Sequence, residues 1–74
     1  MINEHDLVIL TIDLPALGLE PGDVGTVVHV YRDRAAYEVE FTTLAGDTLG
    51  VETLRAENVR KAGAREVLHS RAMA

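Results

Sequence analysis

Leu14-Pro15-Ala16-Leu17-Gly18-Leu19-Glu20-Pro21-Gly22-Asp23-Val24-Gly25-Thr26-Val27-Val28 is the stretch whose reading decides how this chain folds. Pro15 and Pro21 forbid a helix through it, because proline lacks an amide proton and clashes with the preceding turn. Pro21-Gly22 has the chemistry of a type II turn, in which proline presets φ and glycine supplies the positive φ that follows. Asp23 is placed to hydrogen-bond the backbone of that same turn, and Gly25 allows a tight bend into the next strand. Leu14, Leu17 and Leu19 sit inside the loop. A wholly solvated loop has no use for three leucines, so this one is expected to fold back over a core.

On the N-terminal side, Leu7-Val8-Ile9-Leu10-Thr11-Ile12 is a short apolar, β-branched run ended by Asp13 and Pro15, which reads as a strand. On the C-terminal side, Val24 to Tyr31 reads as a second strand, with Thr26, Val28 and Val30 on one face and Val27, His29 and Tyr31 on the other. Arg32-Asp33-Arg34 is a polar turn. In the third strand, Ala36 to Thr43, Tyr37, Val39 and Phe41 alternate with Glu38, Glu40 and Thr42, the pattern of one buried and one wet face. Ala45-Gly46-Asp47 is a hairpin connection to a strand over Thr48 to Leu54, with Leu49 and Val51 inward and Gly50 marking a bulge or a close approach. Arg55-Ala56-Glu57-Asn58 reads as one helical turn and Val59-Arg60-Lys61 as a last strand.

Short strands at this spacing, a long looped connection after the first and one helical turn before the last predict an all-β fold. The architecture with that order of pieces is a small SH3-like barrel of about five strands, whose closure removes exposed edges. The barrel is expected over residues 1–61. Residues 62–74 form a C-terminal tail compatible with a frayed end, a helix from Ala64 or a strand over Glu66 to Ser70, and its Val67-Leu68 pair is free to pack on the barrel or on a second copy.

The chain has 74 residues, one domain's worth, and no cysteine, so neither a disulfide nor a thiolate metal site exists. Its first residues are polar and acidic, without the basic start and apolar run of a secretory leader, and no apolar run approaches a membrane span. The expectation is a cytoplasmic protein without membrane contact. Net charge is −5, unevenly spread. Residues 1–54 carry ten acids against two bases, and residues 55–74 carry five bases against two acids. An acidic body repels phosphate and argues against nucleic acid as a partner. The plain reading of the basic tail is a solvated end that complements its own body.

The chemistry-bearing residues do not assemble into a catalytic set. The only serine, Ser70, neighbours His69 in sequence, which is not how a nucleophile and its base are held. His5, His29 and His69 lack paired metal-ligand spacing. Glu38 and Glu40 lie about 7 Å apart on one strand face at ~3.3 Å rise per residue. A solvated acidic face explains them better than a carboxylate dyad, because only three aromatic residues exist to build a substrate platform. Gly22-Asp23-Val24-Gly25 fits neither phosphate-loop pattern, and Asp23 repels phosphate. No catalytic residue, metal ligand or cofactor is therefore expected.

The opening stretch followed by Tyr37-Glu38-Val39-Glu40-Phe41 resembles the small bacterial proteins grouped as domain of unknown function 4926. Asp6 before Leu7-Val8-Ile9-Leu10 and the tail Arg65-Glu66-Val67-Leu68-His69 extend the likeness over nearly the whole chain. The resemblance implies an SH3-like fold, no established activity and no functional residues to carry over. More distantly, Gly22-Asp23-Val24-Gly25-Thr26-Val27-Val28 is similar to the turn of KOW-type ribosome and transcription-factor domains and of the nitrile hydratase β-subunit barrel. The turn here lacks the basic residues that KOW domains bring to RNA.

These features make a non-catalytic protein-interaction module the leading expectation, with Pro15, Leu17 and Leu19 taken to lie near Tyr31 and to edge the partner-binding surface. A compact acidic protein of this size suits an antitoxin, immunity or regulatory partner of another protein. A homodimer through an edge strand or the tail is also compatible with the pattern. A KOW-like RNA- or ribosome-associated domain and an accessory subunit of an enzyme are the alternatives.

Overall fold

The computed structural model describes residues 1–73; Ala74, the last residue of the expected tail, lies outside them. Five strands form, β1 (Leu7–Leu10), β2 (Val24–Val30), β3 (Ala36–Thr42), β4 (Thr48–Arg55) and β5 (Val59–Lys61). They make one antiparallel sheet in the order β4-β3-β2-β1-β5. Among the described residues the only helical structure is three 3₁₀ turns, at Pro15–Leu17, Arg32–Arg34 and Ala56–Asn58, the last directly before β5 as the sequence predicts. No ladder joins β4 to β5 among the described residues, so these two strands are the sheet's edges.

The core is the inward face of this sheet. Val8 and Leu10 of β1, Val27 of β2, Tyr37, Val39 and Phe41 of β3, Leu54 of β4 and Val59 of β5 are all buried. Val27 and Val39, fully excluded from solvent, are cross-strand partners. The alternation over β3 holds as expected, with Tyr37, Val39 and Phe41 inward. The long loop folds back as its leucines require. Leu14 and Leu19 exchange backbone hydrogen bonds of 2.9 and 3.0 Å, Leu19 enters the core, and Leu14 and Leu17 pack against it half-buried. The Pro21-Gly22 turn forms with Gly22 at φ +98°, where a side chain is strained, and the Asp23 amide donates to the Glu20 carbonyl at 3.1 Å.

Two assignments of side chains to faces are corrected, both by bulges. Val27 pairs with Val39 but His29 pairs with Glu38, so Val28 is an extra residue in β2. Val28 is 41% exposed, and Val30, opposite Tyr37, turns toward the core. The face expected to hold Thr26, Val28 and Val30 together does not exist. In β4, Gly50 pairs with Phe41 while Thr48 pairs with Thr42, leaving Leu49 extra. Leu49 packs partly on the core, but Val51, opposite Glu40, points outward and is 48% exposed. Gly50 fulfils both expectations for it. It adjoins the bulge, and Leu17 lies so close that a Cβ on Gly50 would meet Leu17 Cδ2 at 2.9 Å. β1 ends at Leu10 rather than Ile12, and the Thr11 amide extends its pairing with β5 by one bond, to the Asn58 carbonyl at 3.0 Å.

Candidate functional site

The outward face of the sheet is set by register. Leu7, Thr26, Glu40 and Val51 form one row across β1, β2, β3 and β4. His29, Glu38 and Thr53 form another, and Tyr31 joins it from the end of β2. The Tyr31 hydroxyl donates to Glu38 Oε1 at 3.1 Å, the Thr53 hydroxyl donates to the same oxygen, and the Thr48 hydroxyl donates to Glu40 Oε2 at 3.2 Å. The His29 and Tyr31 rings meet edge-on, centroids 4.7 Å apart. Glu38 and Glu40 thus each serve as acceptors for neighbouring hydroxyls on a wet face.

Residues 62–73 run past this face without regular secondary structure. Arg60 pairs with Glu66 at 2.6 Å, and the Gly63 amide donates to the same carboxylate, which holds the segment where it leaves β5. These contacts keep the Glu66 carboxyl below its ordinary value, the Arg60 hydrogen bond acting most strongly. The segment's far end is held by Arg71, which donates from Nε to Asp23 Oδ1 at 3.1 Å, from Nη2 to Asp23 Oδ2 at 2.5 Å and from Nη2 to the Gly18 carbonyl at 2.8 Å. Glu20 stands 3.9 Å from the same guanidinium. Met73 follows, half-buried against the core.

Ile9 shows what the segment covers. Its side chain leaves the sheet on the opposite face from Val8 and Leu10. It does not belong to the core cluster, yet it is only 8% exposed. Between it and the segment lies a cavity of about 350 Å³, with Ile9 and Val24 on the sheet side and Ala62, Val67 and Leu68 on the other. A wider groove of about 910 Å³ opens between the segment and the β3–β4 hairpin, walled by Thr26, Glu40, Leu44, Asp47, Leu68 and Arg71. Val67 and Leu68 do not bury themselves on the body, being 93% and 62% exposed.

Over residues 4–61 the chain matches the family described as Domain of unknown function (DUF4926). It belongs to that family. No curated protein and no solved structure matches it. The DUF4926 region ends at Lys61, so Gly18, Asp23 and Val51 lie inside it and Arg71 and Met73 lie beyond it.

The four expected partner-binding residues of this DUF4926 chain do not form one surface. Leu19 is a core residue, 5% exposed, and Leu17 is half-buried over Gly50, leaving Pro15 as the exposed member of that loop. Tyr31 is exposed but stands at the far end of β2 from the loop, about 20 Å from Val24 at ~3.3 Å per residue. The expectation that the loop lies near Tyr31 is therefore corrected by the direction in which β2 runs. Asp23 was legible as a turn residue and acts as one, accepting from the Glu20 amide at 2.8 Å. Its second role, holding Arg71, joins residues 48 positions apart, and nothing in the local pattern marks it. Among the described residues no helix is long and apolar enough to cross a membrane.

Proposed function

We propose that the chain is a non-catalytic protein-interaction module of the cytoplasm that takes an extended segment of a partner protein along β4. The observation that carries this reading is the edge itself. β4 is the longest strand, eight residues, and it ends the sheet. The backbone groups that face away from β3 are a template for one more strand, the mode in which main-chain hydrogen bonds give affinity and alternate side chains give specificity. Val51 supplies an exposed apolar contact there, and Glu40 beside it supplies negative charge.

An acidic body favours a basic partner through long-range steering, which suits an antitoxin, immunity or regulatory role toward another protein. The KOW-like RNA reading draws less support, because Arg60, Lys61 and Arg71, three of the five bases in residues 55–74, pair with Glu66, Asp6 and Asp23. The test is purification of the tagged full chain from its own host, followed by hydrogen–deuterium exchange of the recovered complex. New protection across Thr48–Arg55 is expected. A stoichiometric complex that leaves those amides unprotected overturns the reading.

A further inference from the structure

The contacts of Arg71 have the form of ligand recognition. A planar guanidinium meets both oxygens of one carboxylate, the two-pronged arrangement that arginine makes and lysine cannot. The Asp23 carboxylate is also held from within its own turn, where the Glu20 amide donates to Oδ2 at 2.8 Å. The Gly18 carbonyl, on the loop that opens the fold, accepts a further bond at 2.8 Å, and Glu20 adds a second negative charge at 3.9 Å. Two residues on, Met73 reaches the loop, where a Cβ on Gly18 would be 3.5 Å from Met73 Cε. The receiving groups all belong to residues 4–61, and the seated ones to residues 62–73.

The seated segment is held only at its two ends. Residues 63–72 are exposed throughout, and their apolar pair, Val67 and Leu68, is turned mostly to solvent. Ion pairs as exposed as these add little to stability, because solvent screens them. Releasing the segment withdraws Met73 from the edge of the core and uncovers Ile9 and Val24 as well as Asp23.

We propose that Asp23, Glu20 and the Gly18 carbonyl form a docking site for an extended segment of a partner protein carrying arginine, one intervening residue and then an apolar side chain, and that residues 62–73 occupy it as an intramolecular stand-in. The stand-in defines the occupant's chemistry. The guanidinium matches the carboxylates in charge and shape, and the apolar residue two positions later matches the half-buried place of Met73. A partner competes with the stand-in, so its apparent affinity is reduced by the fraction of molecules in which the site is closed. The site is separate from the β4 edge and stands or falls independently of it.

The test uses the full chain and a labelled synthetic peptide of residues 64–73, titrated by fluorescence anisotropy. Arg71→Ala in the chain empties the site and is expected to bind the peptide at least tenfold more tightly than the unaltered chain does. A peptide with lysine in place of Arg71 is expected to lose most of that affinity, as is a chain carrying Asp23→Asn together with Arg71→Ala. Equal affinity for the two chains, or equal affinity of the arginine and lysine peptides, overturns the proposal. A concentration-dependent doubling of the unaltered chain's mass would make a second copy the occupant and overturn it too. Amide exchange on the unaltered chain gives a reading free of any variant. Residues 64–72 are expected to exchange without global unfolding, and core-like protection there sinks the idea.

Discussion

Leu17, on the turn after β1, lies against Gly50 of β4, where a Cβ would come within 2.9 Å of Leu17 Cδ2 and 3.0 Å of Cδ1. The contact lets a loop side chain cap the sheet beside one of its edges. Gly25 makes a different close approach. A Cβ there would stand 2.5 Å from Val39 Cγ1 and 2.8 Å from Phe41 Cε1, both fully buried. The tip of Leu17 can swing aside, whereas Val39 and Phe41 are held on all sides. Gly50→Ala is therefore expected to cost about 1 kcal/mol and Gly25→Ala about 3 kcal/mol, the two ends of the overpacking range. Urea denaturation of both variants checks the order, which reverses if the loop is the stiffer element.

Acid should loosen the C-terminal segment before the sheet. The Arg71 hydrogen bond, helped by the Glu20 amide, holds the Asp23 carboxyl below its ordinary value of 3.8. A lowered folded-state pKa contributes stability that is fully present above the unfolded value and lost as pH falls through the folded one. Arg71→Ala is expected to lower the melting temperature by a few degrees at pH 7. The difference between the two proteins should shrink as pH falls below 3.8 and vanish once Asp23 is protonated. Melting curves from pH 7 to pH 2 measure it; a difference that persists in acid would show that Arg71 acts through something other than Asp23.

Val51 separates stability from recognition. It is outward-facing and half exposed on an edge strand, so Val51→Lys is expected to change stability by no more than about 0.5 kcal/mol. A lysine on an edge discourages strand addition. The same variant should lose any partner that pairs with β4, with a melting curve that overlays the unaltered one.

The sequence made the strands legible wherever alternation ran unbroken. Tyr37, Val39 and Phe41 announce β3 and its buried face without ambiguity. The inward and outward assignments of Val28, Val30 and Val51 were not legible, because a bulge is a matter of pairing and Val28 and Leu49 are ordinary strand residues. The leucines of the loop signalled that it covers the core, and Leu14, Leu17 and Leu19 do so. That same burial removes Leu19 from any docking surface, and a hydrophobic loop pattern alone does not distinguish the two uses. The Arg71–Asp23 contact was invisible for a further reason, since it joins the tail to the turn at a distance in sequence where no periodicity operates.

The extra residue in β2 bears on which single-residue length changes this fold can absorb. Val27 and Val30 both turn inward with two residues between them, where a regular strand allows one. Excising Val28 leaves Val27, His29 and Val30 in simple in–out–in order, so every inward side chain stays inward. Excising Glu38 on β3, which has no spare residue, shifts one flank of that strand and turns its apolar set to water. A deletion scan through β2 and β3 is expected to yield folded protein at position 28 and little within β3. β2 thus carries one spare residue, a slot where the reading of faces can lose a step without losing its phase.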